Sequence, residues 1–373
     1  MPENLLTRVM VVDDSAVIRG MITRILETSP RNSVVSSVQN GEIAVSSYDR
    51  IKPDMVILDI EMPVMDGLTA LKLLLEKHPD AKVVMCSTLT QHNAEISLKA
   101  MALGAVDYIP KPTSTADLNS SNEFRDKLLA LAKSFAKPFD GPLPTRPERP
   151  AQQTPAELPE RTKFVLPPPG TAITYRPEPH STWRPRILAV GSSTGGPQAL
   201  FEFFKPLKDI KNIPVVITQH MPPTFTAILA QHIKMHTGLD CVEAQEGMPL
   251  LPGHAYVAHG GVHMLVKKND QGQLALTLND GPPENFCKPA VDPMLRSLIP
   301  HYARDILTVI LTGMGADGLL GSKAVIEAGG YVVAQDQASS VVWGMPGAVA
   351  TQGLCCKVLP PYELGAWVAK KVL

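Results

Sequence analysis

The chain has 373 residues, 44% of them hydrophobic, more than one hydrophobic core usually serves, so two domains are expected and no disulfide staple is needed. Its formal net charge is −1, with Lys and Arg scattered and no basic arm, which excludes nucleic acid as a main partner. Five cysteines form an odd set without CxxC spacing, nothing ahead of the first apolar run resembles a signal peptide, and no apolar run approaches the roughly 20 residues of a membrane span. A reduced, cytoplasmic protein with no direct membrane insertion is expected.

From the N-terminus, short apolar runs at 8–12, 34–38, 55–58, 82–86 and 107–109 alternate with helical patterns. Five strands with intervening helices predict a parallel sheet covered on both faces. Asp13 and Asp14 follow the first strand and Asp59 follows the third. The C-terminal strand ends of an open parallel sheet share one edge, so these carboxylates should converge there. Three oxygen donors of this kind suit Mg²⁺. Ser87 after the fourth strand and Lys111 after the fifth sit on the same edge. A phosphoryl group attached to Asp59 would need such surroundings, with a metal and an ammonium to neutralise its oxygens. Singly, each residue has a plain reading: Asp13 or Asp14 as a helix cap, Asp59 as a turn former, Lys111 as a solvated lysine.

Five positions in order outweigh those separate readings. "VVDDS", "LDIEMPVMDG", "CST" and "YIPKP" resemble the receiver domain of two-component response regulators, a flavodoxin-like fold, over about residues 8–133. The resemblance implies that Asp59 accepts phosphate from a histidine kinase, that Asp13 and Asp14 help bind Mg²⁺, and that Ser87 and Lys111 contact the phosphoryl group.

Between Pro138 and Pro185 lie 13 prolines in 48 residues, a composition that buries little and favours extended backbone, so this stretch reads as an interdomain linker. The expected domains are therefore 5–133, a proline-rich linker over 134–184, and 185–373. The competing reading is an extended strip packed on one domain through Phe164, Tyr175 and Trp183.

The second part repeats the α/β style, with predicted strands at 187–190, 215–218, 255–258, 307–312 and 331–334. "HMLVKKNDQGQLALTLND" alternates about Asn269–Gly272 as an antiparallel hairpin does. A doubly wound, mostly parallel sheet with one antiparallel hairpin is predicted. Gly191-Ser192-Ser193-Thr194-Gly195 fits G-x-S-x-G between a strand and a helix starting near Pro197, the context in which a tight elbow lifts Ser193 as a nucleophile. A phosphate loop is the alternative, but the lysine of a G-K-[ST] motif is missing. A plain strand-to-helix turn is the third.

A serine nucleophile needs a base and a carboxylate that orients it. His220 follows the strand at 215–218, on the expected catalytic edge. His232 and His236 are spaced i, i+4 without the Glu and third ligand of a metal site, so a helix face is the simpler reading. His259 and His263 flank a Gly-Gly turn. Asp317 in "LTGMGADG" follows the strand at 307–312, and Asp336 is its rival. The chain order Ser, His, Asp differs from the Ser, acid, His order of α/β-hydrolases, so that fold is not implied.

"VGSSTGGPQAL", "ITQHMPPTFT", "LTGMGADG" and "QDQASSVVWGMPGAV" resemble the catalytic domain of the chemotaxis protein-glutamate methylesterases, the CheB family, in which a receiver precedes this domain. The resemblance implies Ser193 as nucleophile, His220 as general base and acid, and Asp317 rather than Asp336 as the residue orienting His220. It also implies the Met314 amide as an oxyanion donor, with the backbone N–H of Thr194 beside Ser193 as a further candidate. The implied reaction is hydrolysis of glutamate methyl esters on methyl-accepting chemoreceptors, with release of methanol and no cofactor, together with deamidation of receptor glutamines. Phosphorylation by a chemotaxis-type histidine kinase would relieve a block by the receiver. A non-catalytic regulator that sequesters a kinase or receptor is the alternative; a DNA-binding regulator lacks a basic helix-turn-helix segment.

Overall fold

The computed structural model describes residues 5–88, 90–111, 122–139 and 172–373. The chain divides into two compact units, Met1–Val165 and Leu166–Leu373. Most of the expected linker, residues 140–171 with Phe164 among them, lies outside the described residues. Among those described, no helix is long and apolar enough to cross a membrane.

In the first unit the strands β1 (Leu5–Val12), β2 (Asn32–Val38), β3 (Met55–Asp59), β4 (Val83–Ser87) and β5 (Asp107–Pro110) form a sheet in the order β2-β1-β3-β4-β5, and every one of these pairings is parallel. β3 and β4 are buried at every position, which is why they read as unbroken apolar runs rather than alternating ones. The helices start where side chains cap them: Asn40 Oδ1 accepts from Ile43 N at 3.0 Å and Asp66 Oδ1 from Thr69 N at 2.8 Å. The unit extends past the expected boundary at 133, because β6 (Lys137–Pro138) pairs antiparallel with β1.

In the second unit β7 (Ile187–Ser192), β8 (Val215–Gln219), β9 (Asp240–Glu243), β10 (His254–Val257), β13 (Ile306–Ile310), β14 (Tyr331–Gln335) and β15 (Cys355–Leu359) form one seven-stranded sheet, ordered β15-β14-β13-β7-β8-β10-β9. All its pairings are parallel. The edge strands β9 and β15 lie outside the expected set, since their sequences DCVE and CCKVL carry charged residues that break any apolar run. The hairpin β11 (His263–Lys268) and β12 (Leu274–Asn279) forms as expected, but as a sheet of its own rather than an addition to the large one. Its inner residues Met264, Val266 and Leu276 are buried with Met294, Leu295 and Leu298 of the helix Val291–Tyr302, so that helix, not a strand edge, covers its apolar face.

The described end of the expected linker packs on this second unit. Arg176 N donates to Cys355 O at 2.9 Å, and Glu178 is bonded to Lys357 and Trp367. The Trp183 ring meets Tyr331 at 4.6 Å between centroids, whereas Tyr175 is 53% exposed. Of the two described aromatic anchors, Trp183 is seated against a partner ring.

Both sheets reverse their winding direction once. In the first unit the reversal falls between β1 and β3, and in the second between β7 and β13. Ligands of open α/β sheets bind outside the carboxyl ends of the strands at such a switch point. The candidate residues lie at these two places.

Candidate functional site

At the β1/β3 switch point, Asp13, Asp14 and Asp59 bring one carboxylate oxygen each to within 4.8 Å of one another. Asp13 and Asp59 are buried and Asp14 is exposed. Lys111 Nζ lies 2.7 Å from both Asp13 Oδ2 and Asp59 Oδ1, a cation already inserted between two acids. Burial pushes the Asp59 pKa up to about 6, against the lowering effect of Lys111, and the Asp13 charge adds to the rise. Ser87, the last residue of β4, is buried with its Oγ 3.2 Å from Ser97 Oγ. The arrangement concentrates negative charge in a low-dielectric cleft, which favours a bound cation.

At the β7/β13 switch point the two adjacent serines separate sharply. Ser192 is fully buried and its Oγ donates to Gln219 Oε1 at 2.7 Å. Ser193 is partly exposed, its N–H donates to Thr312 O at 3.0 Å, and among the described residues its hydroxyl makes no hydrogen bond to His220. Gln219 Nε2 bonds both Ser193 O at 2.8 Å and His220 O at 3.2 Å, so one side chain clamps the elbow to the end of β8. The sequence reading missed Gln219; its signal was the polar residue closing the apolar run "VVIT". Glycine is required at two contacts of this elbow. A Cβ on Gly196 would fall 1.9 Å from Gln219 Oε1, and one on Gly313 would fall 2.8 Å from Ser193 Cβ.

His220 Nε2 lies 2.7 Å from Asp317 Oδ2. Asp336 takes no part, since its carboxylate bonds Ser339. The other candidate histidines are occupied elsewhere. His232 and His236 lie against Phe201, His259 Nδ1 bonds Gly260 O, and His263 bonds Pro282 O and the Ala290 N–H.

Asp317 is 1% exposed and receives donors on both oxygens. Val291 N reaches Oδ2 at 2.6 Å; Asp292 N, Gly318 N and Asn285 Nδ2 reach Oδ1 at 3.1, 2.9 and 3.0 Å. Val291 and Asp292 open the helix Val291–Tyr302, whose preceding residue Ala290 supplies no side-chain cap, so Asp317 satisfies the helix's orphan amides and meets the positive end of its dipole. Burial alone would raise the Asp317 pKa; the His220 bond and charge and the backbone donors outweigh it and hold the group below the usual carboxylate range. For His220, burial favours the neutral ring, but Cys287 and Asp317 beside it leave the pKa well above the ordinary imidazole value. Asn285 and Cys287 are further residues of the site that the motifs did not single out.

The amides of Thr194 and Met314 donate to no protein group among the described residues, and Met314 is 38% exposed. A partly exposed hydroxyl, a histidine held by a buried carboxylate, and free amides at one switch point can support acyl transfer through a tetrahedral oxyanion.

A family model described as CheB methylesterase matches residues 188–368, and one described as response regulator receiver domain matches residues 9–122. A "Protein-glutamate methylesterase/protein-glutamine glutaminase of group 2 operon" from Rhodospirillum centenum is 50% identical over 370 residues, covering 97% of this chain and 93% of its own length. A protein-glutamate methylesterase/protein-glutamine glutaminase 1 from Paramagnetospirillum magneticum is 51% identical over 369 residues, covering 97% and 95%. The solved CheB methylesterase catalytic domain of Thermotoga maritima is 37% identical, covers 50% of this chain and 98% of its own, and superposes with a TM-score of 0.48.

Proposed function

The chain belongs to the CheB methylesterase family, with a receiver domain ahead of the methylesterase domain, and from that membership we propose the chemistry of each unit. It is a protein-glutamate methylesterase/protein-glutamine glutaminase. Its substrates are glutamate methyl esters, and glutamines, on the cytoplasmic part of methyl-accepting chemoreceptors.

Ser193 Oγ attacks the ester carbonyl while His220 takes its proton. Because Nε2 of His220 is committed to Asp317 at 2.7 Å, Nδ1 is the nitrogen that accepts. Asp317 fixes the ring and stabilises the imidazolium. The amides of Met314 and Thr194 receive the oxyanion. His220 then protonates departing methanol, or ammonia from a glutamine, and activates the water that releases the glutamate. The 2.7 Å His220–Asp317 contact beside the Ser193 elbow carries this reading, and the complete set argues against a regulator that only sequesters a partner.

In the receiver, Asp59 accepts a phosphoryl group from a chemotaxis-type histidine kinase. The donor set fits Mg²⁺: Asp13, Asp14 and Asp59 cluster within 4.8 Å, and Lys111 already bridges two of them. Those three carboxylates would hold the ion, which would supply positive charge opposite the phosphoryl oxygens. Lys111 and, after rotating from Ser97, Ser87 would contact the phosphoryl group. A charge of roughly −1.5 to −2 added at Asp59 then switches the enzyme on. The test is methanol release from methylated receptor membranes, with and without a small phosphodonor. No methanol from the intact chain under either condition would overturn the assignment.

A further inference from the structure

A tight turn reaches the back of the His220–Asp317 pair. Glu284 N donates to Cys287 O at 3.2 Å and Cys287 N to Glu284 O at 2.8 Å, which makes Asn285 and Phe286 the central residues of a two-residue turn. Both have left-handed backbone, with φ +51° and +64°. Two positive φ values define the turn type that normally takes Asn-Gly. Asn tolerates the first position, whereas Phe at the second is strained. Burial offsets little of that strain, since Phe286 is 78% exposed. Strain of this kind persists where surrounding structure requires it.

What the turn delivers is the Asn285 amide. Nδ2 donates to Asp317 Oδ1 at 3.0 Å and to Asp292 Oδ2 at 2.9 Å. Both hydrogens of one amide meet carboxylates, which settles its orientation, because the carbonyl oxygen in the same place would face two acids. Asp292 is 1% exposed, and its other oxygen accepts from Gly321 N at 2.6 Å. Burial first, and then the Asp317 charge, raise the Asp292 pKa to about 6. Asn285 therefore stands between two buried acids that repel one another. The remaining titratable or charged groups facing this cluster are His220 and Cys287 on one side and Arg296, paired to Glu284 at 2.6 Å, on the other.

We propose that Asn285 is a positioning residue for ester hydrolysis, its amide clamped by Asp292 so that Asp317 stays ionised and presents Oδ2 to His220. This rests on the reading of Ser193, His220 and Asp317 as the catalytic set. Asn285 acts through Asp317, to which its amide donates.

The experiment measures methanol release by the full chain against pH. Asn285→Gly keeps the left-handed backbone and deletes the amide. It is expected to lower kcat about ten- to hundredfold, the loss of a charge-assisted hydrogen bond to a buried carboxylate, with KM unchanged. Asn285→Asp also tolerates the backbone but adds a third carboxylate, so at alkaline pH it falls below Asn285→Gly. As pH drops, the introduced carboxyl takes up a proton and regains a donor, so the ratio of the two kcat values rises in its favour. An added carboxylate beside Asp317 also raises the His220 pKa, so each kcat is first corrected for that variant's own His220 midpoint and the ratio is taken from the corrected values. Wild-type kcat in Asn285→Gly, or a ratio flat with pH, overturns the proposal. If circular dichroism finds Asn285→Gly unfolded, the ratio of Asn285→Asp to wild type carries the same test. Ser193→Ala runs alongside; methanol release by that variant would instead overturn the catalytic set.

Discussion

His220 meets Asp317 through Nε2, at 2.7 Å, with Cys287 on the same ring, and in the proposed mechanism Nδ1 is the nitrogen that exchanges a proton with the nucleophile. Asp317 is itself locked by three backbone amides and Asn285, so the direction of the imidazole is set by groups outside the motif that contains the serine.

The first prediction is a pH profile. Cys287 and Asp317 raise the His220 pKa despite its burial, and a base works only after losing its proton. The kcat/KM for ester hydrolysis should therefore rise with pH, with a midpoint above the ordinary imidazole value of about 6.5. Asp317→Asn removes the charge that holds the proton and should move the midpoint down, while the plateau rate falls about ten-thousandfold. A midpoint unmoved by Asp317→Asn would contradict this account.

The two serines should separate in opposite assays. Ser193→Ala should abolish methanol release and leave thermal stability near wild type, because Ser193 is partly exposed. Ser192→Ala removes a buried donor to Gln219 at 2.7 Å and should cost about 1–3 kcal/mol of stability while keeping most of the activity. Equal activity losses in both variants would sink the assignment of Ser193.

Close packing at the elbow makes a third prediction. A methyl on Gly313 would lie 2.8 Å from Ser193 Cβ and 2.4 Å from Met345 Sδ. Gly313→Ala should cost roughly 1–3 kcal/mol through overpacking and lower kcat more than it raises KM, since it displaces the nucleophile. Calorimetry and steady-state methanol release measure the two effects.

For the receiver, Asp59→Asn should eliminate stimulation by a small phosphodonor and preserve the unstimulated rate. Chelating Mg²⁺ should do the same to the wild type, and restoring the ion should recover stimulation. A phosphodonor response that survives chelation would argue against the Asp13, Asp14 and Asp59 site.

Where the catalytic fragment begins should affect its stability. Arg176, Glu178 and Trp183 bond to Cys355, Lys357, Trp367 and Arg304, so a fragment starting at residue 172 should be more stable than one starting at 185 by about 1–2 kcal/mol. The longer fragment should also hydrolyse the ester faster than the unphosphorylated full chain. Denaturant melts and initial rates test these separately; no rate gain would mean that phosphorylation activates by another route.

Much of this protein is legible in one dimension. β3, β4, β7, β8 and β13 are central strands buried at every position, so each appears as a mostly apolar run, and polar residues placed after such runs mark the sheet edge where chemistry collects. Asp13, Asp59, Ser193 and His220 are candidates by that logic, whereas Asp317, farther from the end of β13, is preferred to Asp336 only through the family resemblance. Edge strands β9 and β15 are not legible in this way, because a strand paired on one side tolerates charged residues such as Glu243 and Lys357, which break its apolar run. Only the tertiary structure decided that Ser192 is buried and Ser193 is not, that His220 turns Nε2 to Asp317, and that Gln219 and Asn285 brace the site. Those outcomes depend on which strand lies beside which and on amides donated by a helix about 100 residues from the serine, and local sequence pattern carries no record of either.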